Sequence, residues 1–280
     1  MYQRRYLLLA LVLIVGTRGA TAQSGPQISV PRGDQQRHYH FAEAGKELPY
    51  RLYVHQSYDP AAGAPLVVAL HGFGGNQDYF FAAVKALPAL LEKHGFIFVA
   101  PMGLAADGWY GAPLSIPGNA PRSSGAPPPR QIRSPEEEST YRALSEADVM
   151  NVLALVRKEY SVDANRIYLM GHSMGGFGTW WLGQKYADIW AAIAPMSGVL
   201  PDVDYQLPRL VRVPVQISIG GAETPAWVEP SRKLAETMKV KGMPVAYVEP
   251  PGATHGGMIE PTTPQALEFF SAHVRRTSRK

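Results

Sequence analysis

The sequence predicts an α/β fold, in which a mostly parallel sheet carries helices on both faces and begins with an antiparallel pair. From about residue 38, stretches with strand spacing alternate with stretches of helical spacing, and repeated β-α units imply parallel strands. The segment "HYHFAEAGKELPYRLYVHQ" is typical of two strands around a Gly-Lys turn, which predicts the antiparallel start. With 280 residues and 46% hydrophobic composition, the chain can bury one substantial core.

Short apolar runs mark the remaining strands, and several of them end in glycine or histidine. In chain order they are "PLVVALHG", "FIFVAP", "NRIYLMGH", "AAIAPMSG", "VPVQISIGG" and "PVAYVEPPG". Helical spacing covers residues 77–93, about 176–186, 229–241 and 263–276. Ligands in such sheets bind beyond the carboxyl ends of the strands, where these glycines and histidines lie.

A further helical segment precedes the strand "NRIYLMGH". Ser134 is a candidate N-cap, with proline at the first helical position and Glu137 at the third. Ser145 and Asp148 repeat that spacing, so one broken helix or two helices should reach Tyr160. Asp148 itself is expected to be a structural cap or a buried hydrogen-bonding group.

Residues 1–22 have the features of a cleavable export signal. Arg4 and Arg5 precede the apolar stretch "LLLALVLIV", and residues 20–22, "ATA", match a small-residue cleavage site. Nine apolar residues are too few to span a bilayer, so a membrane anchor is the weaker alternative. A twin-arginine signal is a further alternative with a weak pattern. We therefore expect a secreted or periplasmic protein that begins at Gln23 and keeps no stable membrane anchor.

After the signal, we expect a poorly ordered segment at 23–37, one domain over 38–276 and a basic tail at 277–280. Residues 104–139 should form a long loop, because 11 of these 36 residues are glycine or proline. The formal charge of +4 falls to +1 once the three arginines of the signal are removed, which gives no support for nucleic-acid binding. Oligomeric state is left open.

The chain contains no cysteine, which excludes a cysteine nucleophile and cysteine-ligated zinc. Its eight histidines are scattered without metal-ligand spacing, and no phosphate-binding glycine motif occurs. No cofactor or metal is therefore expected.

The pentapeptide Gly171-His172-Ser173-Met174-Gly175 matches G-x-S-x-G between a strand and a helix. This context places the serine at the apex of a strained turn, with its hydroxyl projecting from the edge of the sheet. The flanking glycines would lie too close to the strand and the helix to carry side chains. The alternative is a glycine-rich turn whose serine is incidental.

The segment "HGFGG", residues 71–75, follows an earlier strand and could turn its amides towards an oxyanion. The amides of Phe73 and Met174 are the candidate donors. His71 is expected to brace this loop rather than to act as a base. His172 should point away from the serine hydroxyl.

Together, "HGFGGN", "GHSMGG" and "ATHGG" resemble the α/β-hydrolase superfamily over residues 40–275. The resemblance is greatest to single-domain secreted esterases of the polyhydroxybutyrate-depolymerase and feruloyl-esterase type. The sequence is also similar to dienelactone hydrolases and to prolyl-oligopeptidase-like catalytic domains. This resemblance implies the α/β-hydrolase fold and a triad in the order serine, acid, histidine.

The resemblance assigns Ser173 as nucleophile and His255 of "GATHGG" as base. The acid should follow the strand "VPVQISIGG", where the superfamily usually has aspartate and this chain has Glu223. A glutamate can also orient the imidazole and stabilise the imidazolium, although its longer side chain needs a slightly different loop. Asp202 and Asp204 are the alternatives.

Trp109 and Tyr110 lie in the long loop and could line the substrate pocket, although plain packing of the loop is equally expected. Trp227 raises the same question. The expected function is an exported serine hydrolase that cleaves small or polymeric carboxylic esters. A prolyl-oligopeptidase-like peptidase and a catalytically inactive binding protein are the alternatives.

Overall fold

In the computed structural model, which describes residues 30–113, 133–199 and 207–275, one eight-stranded sheet organises the chain. The strands are β1 (Gly33–Phe41), β2 (Lys46–Val54), β3 (Ala64–Leu70), β4 (Ile97–Pro101), β5 (Val162–His172), β6 (Ala192–Met196), β7 (Val215–Ser218) and β8 (Val245–Val248). Their spatial order is β1-β2-β4-β3-β5-β6-β7-β8. The pairs β1/β2 and β2/β4 are antiparallel, and every other pair is parallel. The predicted α/β fold with an antiparallel start is confirmed.

In the described part of the chain, six α-helices accompany these strands, five of them between strands and the last after β8. They are α1 (Tyr79–Ala83), α2 (Leu87–His94), α3 (Pro135–Glu159), α4 (Met174–Lys185), α5 (Pro225–Val240) and α6 (Ile259–Ser271). None of the helices in the described ranges is long and apolar enough to cross a membrane.

The helices cover both faces of the sheet, as β6 illustrates. Alternate residues of a strand point to opposite faces. Ala192 and Ala194 join a buried cluster with Leu267 of α6, whereas Ile193 packs against Gly183 of α4. Because helices cover both faces of the sheet, the carboxyl ends of the parallel strands remain as the place where a site can form.

Several element boundaries differ from the sequence-based expectation. β1 begins at Gly33, and residues 33–37, expected to be poorly ordered, pair with residues 50–54 of β2. The segment expected to be one helix over 77–93 is two helices, α1 and α2. The helices expected from about 176, from 229 and from 263 begin earlier, at Met174, Pro225 and Ile259.

α3 begins at the predicted cap and is unbroken. Ser134 accepts a hydrogen bond from the Glu137 amide, and the Glu137 carboxylate accepts one from the Ser134 amide. The predicted break at Ser145 is wrong, because its buried hydroxyl donates to the Gly103 carbonyl instead of capping a helix. Because α3 begins at Pro135, the loop expected over residues 104–139 ends before residue 139.

Asp148, also on α3, is the buried hydrogen-bonding group that the sequence suggested. Its carboxylate accepts hydrogen bonds from the Tyr39 hydroxyl (2.6 Å) and from the Leu104 amide (3.0 Å). Leu104 has a positive φ of 69°, so this contact holds a strained residue in place. Four other expectations lie outside the described residues. They are the signal at 1–22, the loop residues 114–132, the rival acids Asp202 and Asp204, and the tail at 277–280.

Candidate active site

Ser173 lies at the junction of β5 and α4 in a strained backbone conformation. Its φ of 56° and ψ of −115° are rare for a residue with a side chain. The neighbouring glycines make this turn possible. A β-carbon on Gly171 would lie 2.3 Å from the Gly175 carbonyl oxygen, and one on Gly175 would lie 2.1 Å from the Leu70 carbonyl oxygen. The backbone of the turn thus packs directly on β3 and α4, as expected from the motif.

The structure brings Ser173, His255 and Glu223 together in one hydrogen-bonded chain. His255 Nε2 lies 2.8 Å from Ser173 Oγ, and His255 Nδ1 lies 2.8 Å from Glu223 Oε2. Because a carboxylate only accepts hydrogen bonds, Nδ1 carries the hydrogen and Nε2 is free to accept the serine proton. This is the geometry in which a histidine can deprotonate a serine.

Glu223 is held at both carboxylate oxygens. Oε1 accepts hydrogen bonds from the Ser197 hydroxyl (2.5 Å) and from the Gly220 amide (3.0 Å), while Oε2 faces His255. Burial by itself would raise the pKa of the Glu223 carboxyl. The hydrogen bonds from His255, Ser197 and Gly220 outweigh burial and hold this pKa below its ordinary value. The carboxylate therefore stays ionised at neutral pH.

Ser197 is a residue of the site that sequence reasoning missed. It follows β6, is fully buried and has a positive φ of 46°. Its position in "APMSG", directly after a strand at the same sheet edge as Ser173, was the available signal. A non-glycine residue with this φ is strained, and its hydroxyl contact with Glu223 is a reason for the strain to persist.

Two backbone amides point to a possible oxyanion site. Met174 is the first residue of α4, and Phe73 lies in the loop after β3. Within the described residues, neither amide donates a hydrogen bond, whereas the neighbouring Gly74 amide donates to the Ala106 carbonyl. The start of α4 adds the positive end of a helix dipole.

His71 braces the loop that carries Phe73. Its Nδ1 lies 2.8 Å from the Gly72 carbonyl oxygen and its Nε2 lies 2.8 Å from that of Met102. Its ring is almost fully buried, and burial lowers the pKa of His71. These contacts fit the expected structural role.

Tyr110 does not line a substrate pocket. Of the two expectations for this residue, pocket lining and plain packing of the loop, the second is the one that the structure supports. Its side chain is 0% exposed, and its hydroxyl donates to the His71 carbonyl at 3.1 Å. A β-carbon on Gly103 would lie 2.3 Å from its ring. Tyr110 therefore packs the loop onto the domain and supports His71.

Trp109 belongs to a row of aromatic side chains that runs from the Phe73 loop to the histidine. Ring centroids are separated by 6.3 Å (Phe73–Trp109), 5.8 Å (Trp109–Phe177), 5.9 Å (Phe177–Trp227) and 5.3 Å (Trp227–His255). We call Phe73, Trp109, Phe177 and Trp227 the aromatic row. Trp109 is 5% exposed, and its Nε1 has no partner in the part of the chain that the structure describes. Trp109 and Phe177 are buried, whereas Phe73 and Trp227 are partly exposed, and Trp227 is the member of the row that contacts His255.

The described residues contain no group of three or more histidine and carboxylate side chains that could hold a metal ion. The arrangement at Ser173 can instead perform nucleophilic chemistry with side chains and amides alone.

Comparisons with known proteins find similarity to esterases. A profile of the family described as "Putative esterase" matches residues 41–247. Feruloyl esterase B of Neurospora crassa is 28% identical over 152 residues, which are 53% of this chain and 44% of that protein. Poly(3-hydroxyalkanoate) depolymerase C of Paucimonas lemoignei is 27% identical over 154 residues, 53% of this chain and 31% of that protein. The chain thus spans less than half the length of these two relatives.

A solved structure of a thermostable esterase superposes on 86% of this chain and 63% of its own, with a TM-score of 0.63 and 26% identity. The family match covers most of the sheet, the serine turn and Glu223, and it ends before His255. The resemblance drawn from the three motifs is confirmed, and the chain belongs to this esterase family of the α/β-hydrolase superfamily.

Proposed function

We propose that this protein is an exported serine hydrolase that cleaves carboxylic esters through an acyl-enzyme intermediate. The observation that carries the proposal is the chain of two 2.8 Å contacts from Ser173 through His255 to Glu223. The strained φ of Ser173 supports it, because backbone strain of this kind is found at functional sites.

In the proposed reaction, Ser173 Oγ attacks the ester carbon while His255 Nε2 takes the hydroxyl proton. The amides of Phe73 and Met174 donate to the oxyanion that forms. His255 then gives its proton to the departing alcohol, which leaves an acyl group on Ser173. Water, deprotonated by His255, releases the acid and restores the serine. Glu223 keeps the hydrogen on His255 Nδ1 and stabilises the imidazolium at each step.

The relatives and the aromatic row favour a bulky apolar acyl or alcohol group as the preferred substrate. One relative is named as a feruloyl esterase and another as a depolymerase of polyhydroxyalkanoates. Aromatic walls bury large planar groups with favourable ring contacts. We therefore propose hydroxycinnamoyl and hydroxyalkanoate esters as the first substrates to compare.

The test of the reaction class uses a fluorophosphonate probe and a pair of chromogenic substrates. We expect the protein to be labelled at one serine and to hydrolyse p-nitrophenyl acetate, and we expect Ser173→Ala to lose both. Turnover of peptide p-nitroanilides without ester turnover would identify a peptidase and contradict the proposal. A folded protein that resists labelling across a range of pH would indicate an inactive binding protein.

Export is tested separately, because it rests on residues 1–22 alone. We expect mass spectrometry of the protein recovered outside the cytoplasm to show an N-terminus at Gln23. Recovery of the intact chain from the membrane fraction would indicate an uncleaved anchor instead.

A further inference from the structure

His172, the last residue of β5, connects the serine turn to the loop that carries the histidine. Its ring is 1% exposed. His172 Nε2 lies 2.7 Å from the backbone carbonyl oxygen of His255, and His172 Nδ1 lies 2.7 Å from the Tyr79 hydroxyl. The Tyr79 ring stacks on it with a centroid distance of 5.9 Å. No role in the mechanism above uses this side chain.

These contacts determine one tautomer. A carbonyl oxygen only accepts, so His172 Nε2 must carry the hydrogen. His172 Nδ1 then has a lone pair, which accepts the hydrogen bond from the Tyr79 hydroxyl. Burial, and secondarily the nearby His255 ring, lower the pKa of His172 to about 3 against smaller opposing effects of the His255 carbonyl and Glu223. His172 is therefore neutral across the working pH range.

A neutral ring matters because His255 becomes positively charged during turnover. The two imidazole centroids are 4.7 Å apart. The groups that face His172 are Tyr79 from α1 and His255 from the loop after β8, with Glu223 beyond. A second cation here would oppose the imidazolium on His255, whereas a neutral donor leaves it undisturbed.

The His255 loop lies between β8 and α6 and has no regular structure of its own. Its backbone is tied to the loop after β7 by the hydrogen bond from the Ala222 amide to the Ala253 carbonyl. The hydrogen bond from His172 to the His255 carbonyl also ties this loop to the serine turn, at the residue whose ring must face Ser173. Ser173 supplies one end of the proton-transfer contact, and its neighbour His172 holds the backbone of His255, which supplies the other end. Two adjacent residues of one turn thus determine the geometry of this contact.

Resting on the proposed function, we propose that His172 is a positioning residue for proton transfer. Its Nε2 hydrogen holds the His255 backbone so that Nε2 of His255 meets Ser173 Oγ, and Tyr79 keeps His172 in the tautomer that can do so. His172 does not touch the substrate.

The experiment compares His172→Phe, which removes both nitrogens, with His172→Gln, which offers an amide hydrogen to the carbonyl and an oxygen to Tyr79. Tyr79→Phe removes the second contact and serves if His172→Phe does not fold. His55→Gln, a buried histidine that bonds to Ser57 instead, is the matched control. For each variant, kcat, KM and the melting temperature are measured with p-nitrophenyl acetate. The far-downfield proton signal of His255 Nδ1 is recorded as well.

We expect His172→Phe to lower kcat by about 10²-fold with little change in KM, because displacement of a reacting group by about 1 Å costs that much. The downfield proton signal should broaden or vanish. His172→Gln should recover most of kcat and the signal. Tyr79→Phe should cost about 2- to 10-fold, as for one neutral hydrogen bond. His55→Gln should leave kcat unchanged.

The proposal is overturned if folded His172→Phe keeps kcat within about twofold of the unsubstituted protein. It is also overturned if His172→Gln is as slow as His172→Phe at equal melting temperature, or if KM alone changes. Failure of the proposed function gives a different result, since the unsubstituted protein would then lack esterase activity and Ser173→Ala would change nothing.

Discussion

Glutamate at the acid position leads to a sharp prediction for Glu223→Gln. Carboxylate oxygen Oε1 faces two donors, the Ser197 hydroxyl and the Gly220 amide, and Oε2 faces His255 Nδ1. A carboxamide has one oxygen and one NH₂ group, so its orientation is decided by these neighbours. With its oxygen towards the two donors, the amide must point its NH₂ group at His255.

The cost of the opposite orientation follows from the same contacts. It would set the NH₂ group against the Gly220 amide, which can only donate, and leave that amide unsatisfied at about 1–3 kcal/mol, whereas the Ser197 hydroxyl could turn to accept. The preferred orientation therefore forces His255 Nδ1 to accept, which moves the hydrogen to Nε2. A protonated Nε2 cannot take the Ser173 proton. For a triad acid replaced by its amide, the loss in kcat is about 10⁴-fold, or about 5 kcal/mol.

The assay is steady-state hydrolysis of p-nitrophenyl acetate, with active-site titration by a fluorophosphonate to count intact sites. We expect kcat of Glu223→Gln to fall by about 10⁴-fold with KM almost unchanged. Glu223→Asp keeps the charge and serves as the matched control, with a smaller loss from the shorter reach.

A loss of less than about tenfold in folded Glu223→Gln would refute this reasoning, because the negative charge would then come from elsewhere. The same series with Asp202→Asn and Asp204→Asn would identify the alternative acid. We expect both of these variants to stay close to the unsubstituted protein.

Three further substitutions test the packing, the binding surface and the buried charge. Gly175→Ala puts a β-carbon 2.1 Å from the Leu70 carbonyl oxygen, so we expect a lower melting temperature and lost fluorophosphonate labelling; normal labelling would contradict the turn geometry. Trp227→Ala should lower kcat/KM by about 2- to 10-fold for aryl esters and less for acetate, and equal losses would argue against a binding role. Burial raises the pKa of Asp148 above its ordinary 3.8, so its stabilising effect is complete below that value and is lost as pH rises through the folded-state pKa. The difference in melting temperature between the unsubstituted protein and Asp148→Asn should therefore shrink as pH rises from about 4. A difference that grows with pH would contradict this prediction.

Much of this site could be predicted from the sequence because the backbone contacts that it requires involve residues within or beside the motifs. The glycines at 171 and 175 are needed where backbone meets backbone, and the structure shows why a β-carbon fails at both positions. The alternation of strands and helices placed the glycines and histidines at the carboxyl ends of the strands, and the resemblance to α/β-hydrolases selected Ser173, Glu223 and His255 among the residues there. Neither inference required knowledge of distant contacts.

The features that were missed depend on contacts between distant segments. Ser145 has the sequence context of a helix cap, but the carbonyl of Gly103 takes its hydroxyl, and α3 continues past it. Tyr110 looks like a pocket residue until its hydroxyl is seen to reach His71. Tertiary partners of this kind override local propensity, and a single sequence does not reveal them.

Three adjacent strands hold the strained residues of the site through the hydrogen bonds of the sheet. The Ser173 amide donates to the carbonyl of Met196 at the end of β6 (2.8 Å), and the Ser197 amide donates to that of Ser218 at the end of β7 (2.8 Å). Each serine with positive φ is thus fixed by the next strand along the sheet. The Ile219 amide continues the series to the carbonyl of Val248 at the end of β8, before the His255 loop.

This series explains how the longer glutamate fits where an aspartate was expected. The Glu223 carboxylate follows β7 and reaches sideways to Ser197 after β6, while its other oxygen meets the His255 loop after β8. An aspartate would be about one methylene too short to meet both partners from the same backbone position. The triad therefore depends on the register of β5, β6, β7 and β8 as much as on the three side chains, and a substitution that shifts β6 should disturb Ser173 and Glu223 together.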